Sequence, residues 1–181
     1  MKRKSAERGQ SRTSGQGRDV LEKTLRSLWS LAEPELKRRQ DGHWHTLEVV
    51  ENARKLVAQE GGDRRVALAA AMLHDVGIPE ALAKYSSADG PYQQKEGEAI
   101  ARRFLLQLGW DEIEREAICY IVAHHHERPS TPSLEFRVVW DADALVNEDF
   151  SNPARQEETL ATFYTATGRE MARVKFQART G

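Results

Sequence analysis

The stretch RRVALAAAMLHDVGIP, residues 64–79, holds eight consecutive apolar residues and then a histidine and an aspartate. Alanine and leucine are strong helix formers, and a run that is apolar on nearly every side reads as a helix buried all round. Asp63 can start it, and the Gly77 and Pro79 pair stops it. His74 and Asp75 are therefore carried into the interior. Buried charged side chains are rare without a partner or a metal ion.

Working outward, the helical period persists in both directions. Asp19 can cap a first helix whose apolar positions are Val20, Leu21, Thr24, Leu25, Leu28 and Leu31, until Pro34 breaks or kinks it. Asp41-Gly42 marks a turn, and a second helix runs over residues 43–60 to the Gly61-Gly62 stop. Beyond residue 79 comes a polar loop at 86–91, with Gly90-Pro91 as its turn signal. Helices follow over 93–108 and 111–126, separated by Gly109, and a loop with two prolines spans 128–133. Two further helices are expected, at 134–150 and 154–178, the last long and amphipathic. Only residues 136–140 could pass for a strand. The expectation is an all-α fold: a single compact bundle of about six or seven helices over residues 19–181.

Composition bounds what such a bundle can do. The 181 residues, 39% hydrophobic and 30% charged, suit one globular domain with a core. Residues 1–18 carry a net charge of +5, whereas the remainder carries −6. That first stretch has no sizeable aliphatic residue after Met1, so it is expected to be a disordered basic leader. An acidic remainder offers no basic face for nucleic acid. No apolar run approaches the ~20 residues of a membrane span, and no apolar segment follows the basic start as in a secretory signal. The single cysteine, Cys119, excludes an internal disulfide and a multi-cysteine zinc cluster. A cytoplasmic protein is expected.

Four pieces carry chemistry. His45 sits on an inward stripe with Val49, Asn52 and Leu56, and His74-Asp75 ends the buried helix. His124-His125-His126 closes the helix containing Ile118, Ile121 and Val122, and Asp141 and Asp143 lie among Val138, Val139, Ala142, Leu145 and Val146. Two imidazoles with two carboxylates suit a divalent ion with open positions, which can activate water and polarise a phosphoryl oxygen. Helical geometry alone does not separate Asp141 from Asp143.

The order His, then His-Asp, then Asp on a helical chain resembles the HD-domain metal-dependent phosphohydrolases. The matching stretches are HWHTLEVVENA (43–53), AAMLHDVGIPEALAKY (70–85), YIVAHHHE (120–127) and VVWDADALVNEDF (138–150). The resemblance implies that His45, His74, Asp75 and Asp143 hold one divalent metal ion, with Mn, Mg, Co, Fe, Ni and Zn not distinguished. His45 is preferred to His43, and Asp143 to Asp141, because they match the family's pattern. Gln94 stands where two-metal relatives carry a histidine, which argues for a single ion, and the Gly-Tyr-Pro signature of cyclic-dinucleotide hydrolases is missing.

The activity implied is hydrolysis of a small phosphate ester of the nucleotide kind, by attack of metal-activated water on phosphorus. A non-catalytic metal- or nucleotide-binding sensor is the alternative. Catalytic roles fall to Asp75, which orients the nucleophile, to Lys84, as a cation for the developing charge, and to His125, as a proton donor. Nucleic acid and membranes are not expected partners. The amphipathic last segment could close the core or pair with a second copy of the chain.

Overall fold

The computed structural model describes residues 7–180, with side chains from Gly17 to Arg179. Among these residues there are nine α-helices and no strand, more segments than the six or seven expected because an additional helix follows the Gly77 turn and the last expected helix is divided. Helix α1 spans Glu7–Leu36, α2 Gly42–Glu60, α3 Arg64–Leu73, α4 Ile78–Tyr85 and α5 Gly90–Gln107. Helix α6 spans Glu112–His124, α7 Leu134–Asn147, α8 Gln156–Leu160 and α9 Ala166–Thr180. The segment over 136–140 belongs to α7 and is helical.

At the centre lies α3. Every residue from Val66 to Leu73 is buried, and α1, α2, α6 and α7 all pack against it. Asp63 caps its start, accepting from the backbone N–H of Arg65 and Val66. By length and composition the stretch Arg64–Tyr85 could cross a membrane, but 78% of its most apolar window is buried inside the fold, as befits a core helix. After Leu73 the chain turns through His74 to Gly77 and re-enters a helix at Ile78. A Cβ on Gly77 would strike the backbone of Gln93 and Gly97, so only glycine lets this turn lie directly against α5. Pro79 opens α4 rather than ending the helical path, because its missing N–H costs nothing in a first turn. Pro91 does the same for α5, so Gly90-Pro91 starts a helix instead of making a turn.

Two other expectations are corrected. The first helix does not start at Asp19 or end at Pro34. It runs from Glu7 through Pro34 to Leu36. Residues 1–6 of the expected basic leader lie outside the described residues. The buried Leu25, Leu28 and Ala32 anchor this helix against the rest of the fold. The last expected helix is divided as well. A 3-10 turn at Pro153–Arg155 leads into α8, and the chain then breaks over 161–165 before α9. Asp141 of α7 causes the break. Its Oδ1 accepts from Tyr164 N at 2.8 Å, and its Oδ2 accepts from Thr165 N at 2.8 Å and Thr165 Oγ1 at 2.6 Å. Thr165 Oγ1 in turn accepts from Gly168 N at 2.9 Å, which caps α9.

Candidate metal centre

Three regions of the chain deliver four side chains to one point at the α3–α4 turn. His45 comes from the first turn of α2, His74 and Asp75 from the turn itself, and Asp143 from α7. His45 Nε2 lies 3.3 Å from His74 Nε2 and 3.1 Å from Asp143 Oδ1. His74 Nε2 is 3.5 Å from Asp143 Oδ1, and Asp75 Oδ2 is 3.6 Å from both imidazole Nε2 atoms. Donors bound at about 2.1 Å to one ion stand about 3.0–3.4 Å apart, so these separations have the scale of a coordination shell.

The supporting bonds aim the ring nitrogens. The Ala71 carbonyl accepts from His74 Nδ1 at 2.9 Å, which leaves the Nε2 lone pair facing the cluster. Asn147, one turn beyond Asp143, donates to its Oδ1 at 2.9 Å. The Val122 carbonyl likewise accepts from His125 Nδ1 at 2.8 Å, while His125 Nε2 is buried without a hydrogen bond, 3.6 Å from Asp75 Oδ1.

Electrostatics tell the same story. Burial opposes a charge on His74, yet the Asp75 and Asp143 carboxylates outweigh it and hold the imidazole pKa up at about 9. Burial also opposes charge on Asp75 and Asp143. The imidazoles overcome it, His74 and His125 for Asp75 and His45 and His74 for Asp143, and both carboxyls sit well below their ordinary range. Two ionised carboxylates enclosed this deeply need a positive charge between them, and a divalent ion would displace the proton that His74 otherwise carries. The donor set, its spacing and the orphaned His125 nitrogen therefore fit a metal ion.

The sequence matches the family model for the HD domain over residues 44–148. The chain belongs to the HD domain family. It is 35% identical over 120 residues to a Ribonuclease Y of Sulfurovum sp. (strain NBC37-1), a match that covers 66% of this chain and 20% of that much longer protein. Among solved structures, it resembles a predicted HD superfamily hydrolase from an uncultured Thermotogales bacterium, with TM-score 0.69, 25% identity and 86% of each chain covered. An HD-superfamily hydrolase from Bacillus thuringiensis shares the fold at TM-score 0.59 and 22% identity, over 90% of this chain and 92% of the other. To that membership the structure adds a group of donors that could hold a metal ion.

Within this HD domain, the structure brings His45, His74, Asp75 and Asp143 together and leaves the rival residues elsewhere. His43 faces away, 3.0 Å from Glu33 and packed between Trp29 and Trp44. Asp141 is filled by its bonds to residues 164 and 165. Of the histidine run, His125 faces Asp75, His124 pairs with Glu127 at 2.9 Å, and His126 Nε2 meets Gln93 Nε2 at 2.7 Å. Gln93 is thus the glutamine bonded to the histidine run. Asp75, His125 and His126 form a second group whose donor atoms lie within 4.8 Å of one another.

Lys84 is not in the cleft. It lies on α4, where it pairs with Glu96 of α5 at 2.7 Å and with Glu80 of its own helix at 3.4 Å. The cation that does reach the cluster is Arg39, whose Nη1 lies 3.4 Å from Asp75 Oδ2. Sequence reasoning passed over Arg39, because nothing in the polar turn after α1 distinguishes it from Arg38 or Lys37. Asn147 could have been found, since it stands four residues after Asp143 on one helical face.

Proposed function

We propose that this HD domain is a metal-dependent phosphohydrolase acting on small phosphate esters of the nucleotide kind. The observation that carries the reading is the convergence of His45, His74, Asp75 and Asp143 at an open cleft of about 300 Å³ that is lined by His45, Asp75 and Asp143. A divalent ion held by these four residues would supply Lewis acidity and lower the pKa of water there.

The chain's own groups do the rest. Asp75 turns Oδ2 toward His45 and His74 and Oδ1 toward His125, so one carboxylate both ligates and orients. His125, anchored through Nδ1, can hold or pass a proton at Nε2. Arg39 presents a guanidinium to the charge that develops on phosphate. Lys84, engaged by two glutamates, has no part in the scheme. Asn147 holds the Asp143 carboxylate in its orientation.

A second reading is cleavage of RNA, supported by the 35% identity to a Ribonuclease Y. The acidic balance of residues 19–181 speaks against it. The test is to strip the protein with chelator, restore manganese, and follow release of phosphate, pyrophosphate and nucleosides across nucleotides and a short RNA, with His74→Ala in parallel. Manganese-dependent release that the variant loses is the expected outcome. Tight manganese binding with no turnover on any substrate would replace the hydrolase with a sensor, and no metal binding would end both.

A further inference from the structure

The guanidinium at the cleft is carried by a short turn, not by a helix. Residues 37–41 join α1 to α2, and the chain reverses at Asp41, whose backbone lies in the left-handed region at φ 63° and ψ −8°. Gly42 follows at once. A Cβ there would stand 2.9 Å from the Leu36 carbonyl oxygen and 3.4 and 3.5 Å from Cβ and Cδ of Arg39, so the Arg39 stem runs directly over bare backbone. From this turn Arg39 lines the cleft together with His45, Asp75 and Asp143.

The preceding residue, Arg38, points at a different carboxylate. Its Nη1 lies 2.6 Å from Glu35 Oε2 on α1 and 3.3 Å from Glu80 Oε2 on α4, and its Nη2 lies 3.4 Å from the same Glu80 oxygen. Glu80 Oε1 pairs with Lys84 at 3.4 Å, so both oxygens of that carboxylate are engaged. Two successive arginines thus fasten one turn to Asp75 and to Glu80, on either side of Gly77. Neither Arg38 nor Glu80 lines the cleft. An exposed ion pair stabilises a fold only slightly. A pair that fixes the backbone beside an arginine does something else: it limits how far that long side chain can stray, and so lowers the entropy lost when its guanidinium is held in one place.

We propose that Arg38 and Glu80 are positioning residues for Arg39. Their ion pair fixes the α1–α2 turn against α4, so that the Arg39 guanidinium stays at the cleft, where it meets a phosphate oxygen of the substrate. Arg38 and Glu80 do not touch the substrate and act only through Arg39.

Because this role presupposes the hydrolase reading, the test separates the two. In the manganese-loaded protein, binding of inorganic phosphate is measured by calorimetry, and steady-state turnover is followed on the nucleotide panel. Wild type, Arg39→Gln, Glu80→Gln and the double variant are compared. Arg39→Gln is expected to weaken phosphate binding and raise KM by about 10-fold, the scale of a lost charge-assisted contact. Glu80→Gln is expected to produce about a 3-fold change in the same two quantities, with kcat, manganese affinity and thermal midpoint unchanged. The double variant is expected to match Arg39→Gln alone, since Glu80 then has nothing left to position. Arg38→Gln should reproduce Glu80→Gln. Losses that multiply in the double variant overturn the positioning role and leave the hydrolase standing, and so does a Glu80→Gln protein with wild-type phosphate affinity and KM. Wild-type protein that neither binds phosphate nor turns over any nucleotide overturns both.

Discussion

Asp141 and Asp143 stand two residues apart on α7 and face opposite surroundings. Asp141 looks toward the start of α9, where two backbone N–H groups and a threonine hydroxyl donate to its oxygens. Burial still pushes its carboxyl upward, with those bonds pulling the other way. Asp143 looks toward α2 and α3, where two imidazoles hold its carboxyl far down. One carboxylate is spent on building the fold, and the other is held ionised at an open cleft. What a buried aspartate does is decided by what faces it: both Asp141 oxygens are engaged by donors near the start of α9, away from the imidazoles that meet Asp143.

The sharpest way to break this contrast is to remove each in turn. Asp143→Ala is expected to lower metal-dependent turnover by about 10³-fold, the scale of losing several kcal/mol of transition-state stabilisation, with calorimetry showing weakened manganese binding. Asp141→Ala should instead cost about 3 kcal/mol of folding stability in denaturant titration, because it strands two buried N–H groups, while the folded fraction keeps its metal affinity. Equal loss of metal binding in both variants would erase the distinction. Gly168→Ala attacks the same region from the other side. Its Cβ would press on the Asp141 carboxylate, so a loss of about 1–3 kcal/mol is expected in the same titration.

Finer tests follow. Asn147→Ala should weaken manganese binding by about 10-fold, since it removes the bond that orients Asp143. The smallest effect lies far from either aspartate, at Glu114 on α6, where burial and then Asp111 push the carboxyl up to about 7. Because its folded pKa lies above the unfolded value of about 4.3, Glu114 contributes stability that is complete below that value and is lost as pH rises toward 7. Glu114→Gln should flatten this decline in a series of unfolding curves between those limits. An unchanged slope would show that Glu114 titrates normally.

The helical class, the buried α3 and the order of the cluster residues were all legible in the chain, because periodicity and apolar runs are local signals. His74 and Asp75 stood out because ionisable residues at the end of a buried run need a reason to be there. Helix ends were read less well. Pro79 and Pro91 look like breakers in sequence, yet both open helices, since only the hydrogen-bonding context tells a first turn from an interior one. Residues 154–178 kept a helical pattern through a break made by a side chain on another helix.

By itself, then, the sequence determined that this is a helical chain carrying two histidines and two aspartates in the order of an HD domain. Only the tertiary structure decided which atoms meet. It set Asp143 rather than Asp141 against the imidazoles, turned Lys84 away to Glu96, and brought Arg39 to Asp75. The physical reason is range. Helix propensity and apolar period act over a few residues, whereas coordination and charge pairing depend on side chains up to 98 positions apart, as His45 and Asp143 are.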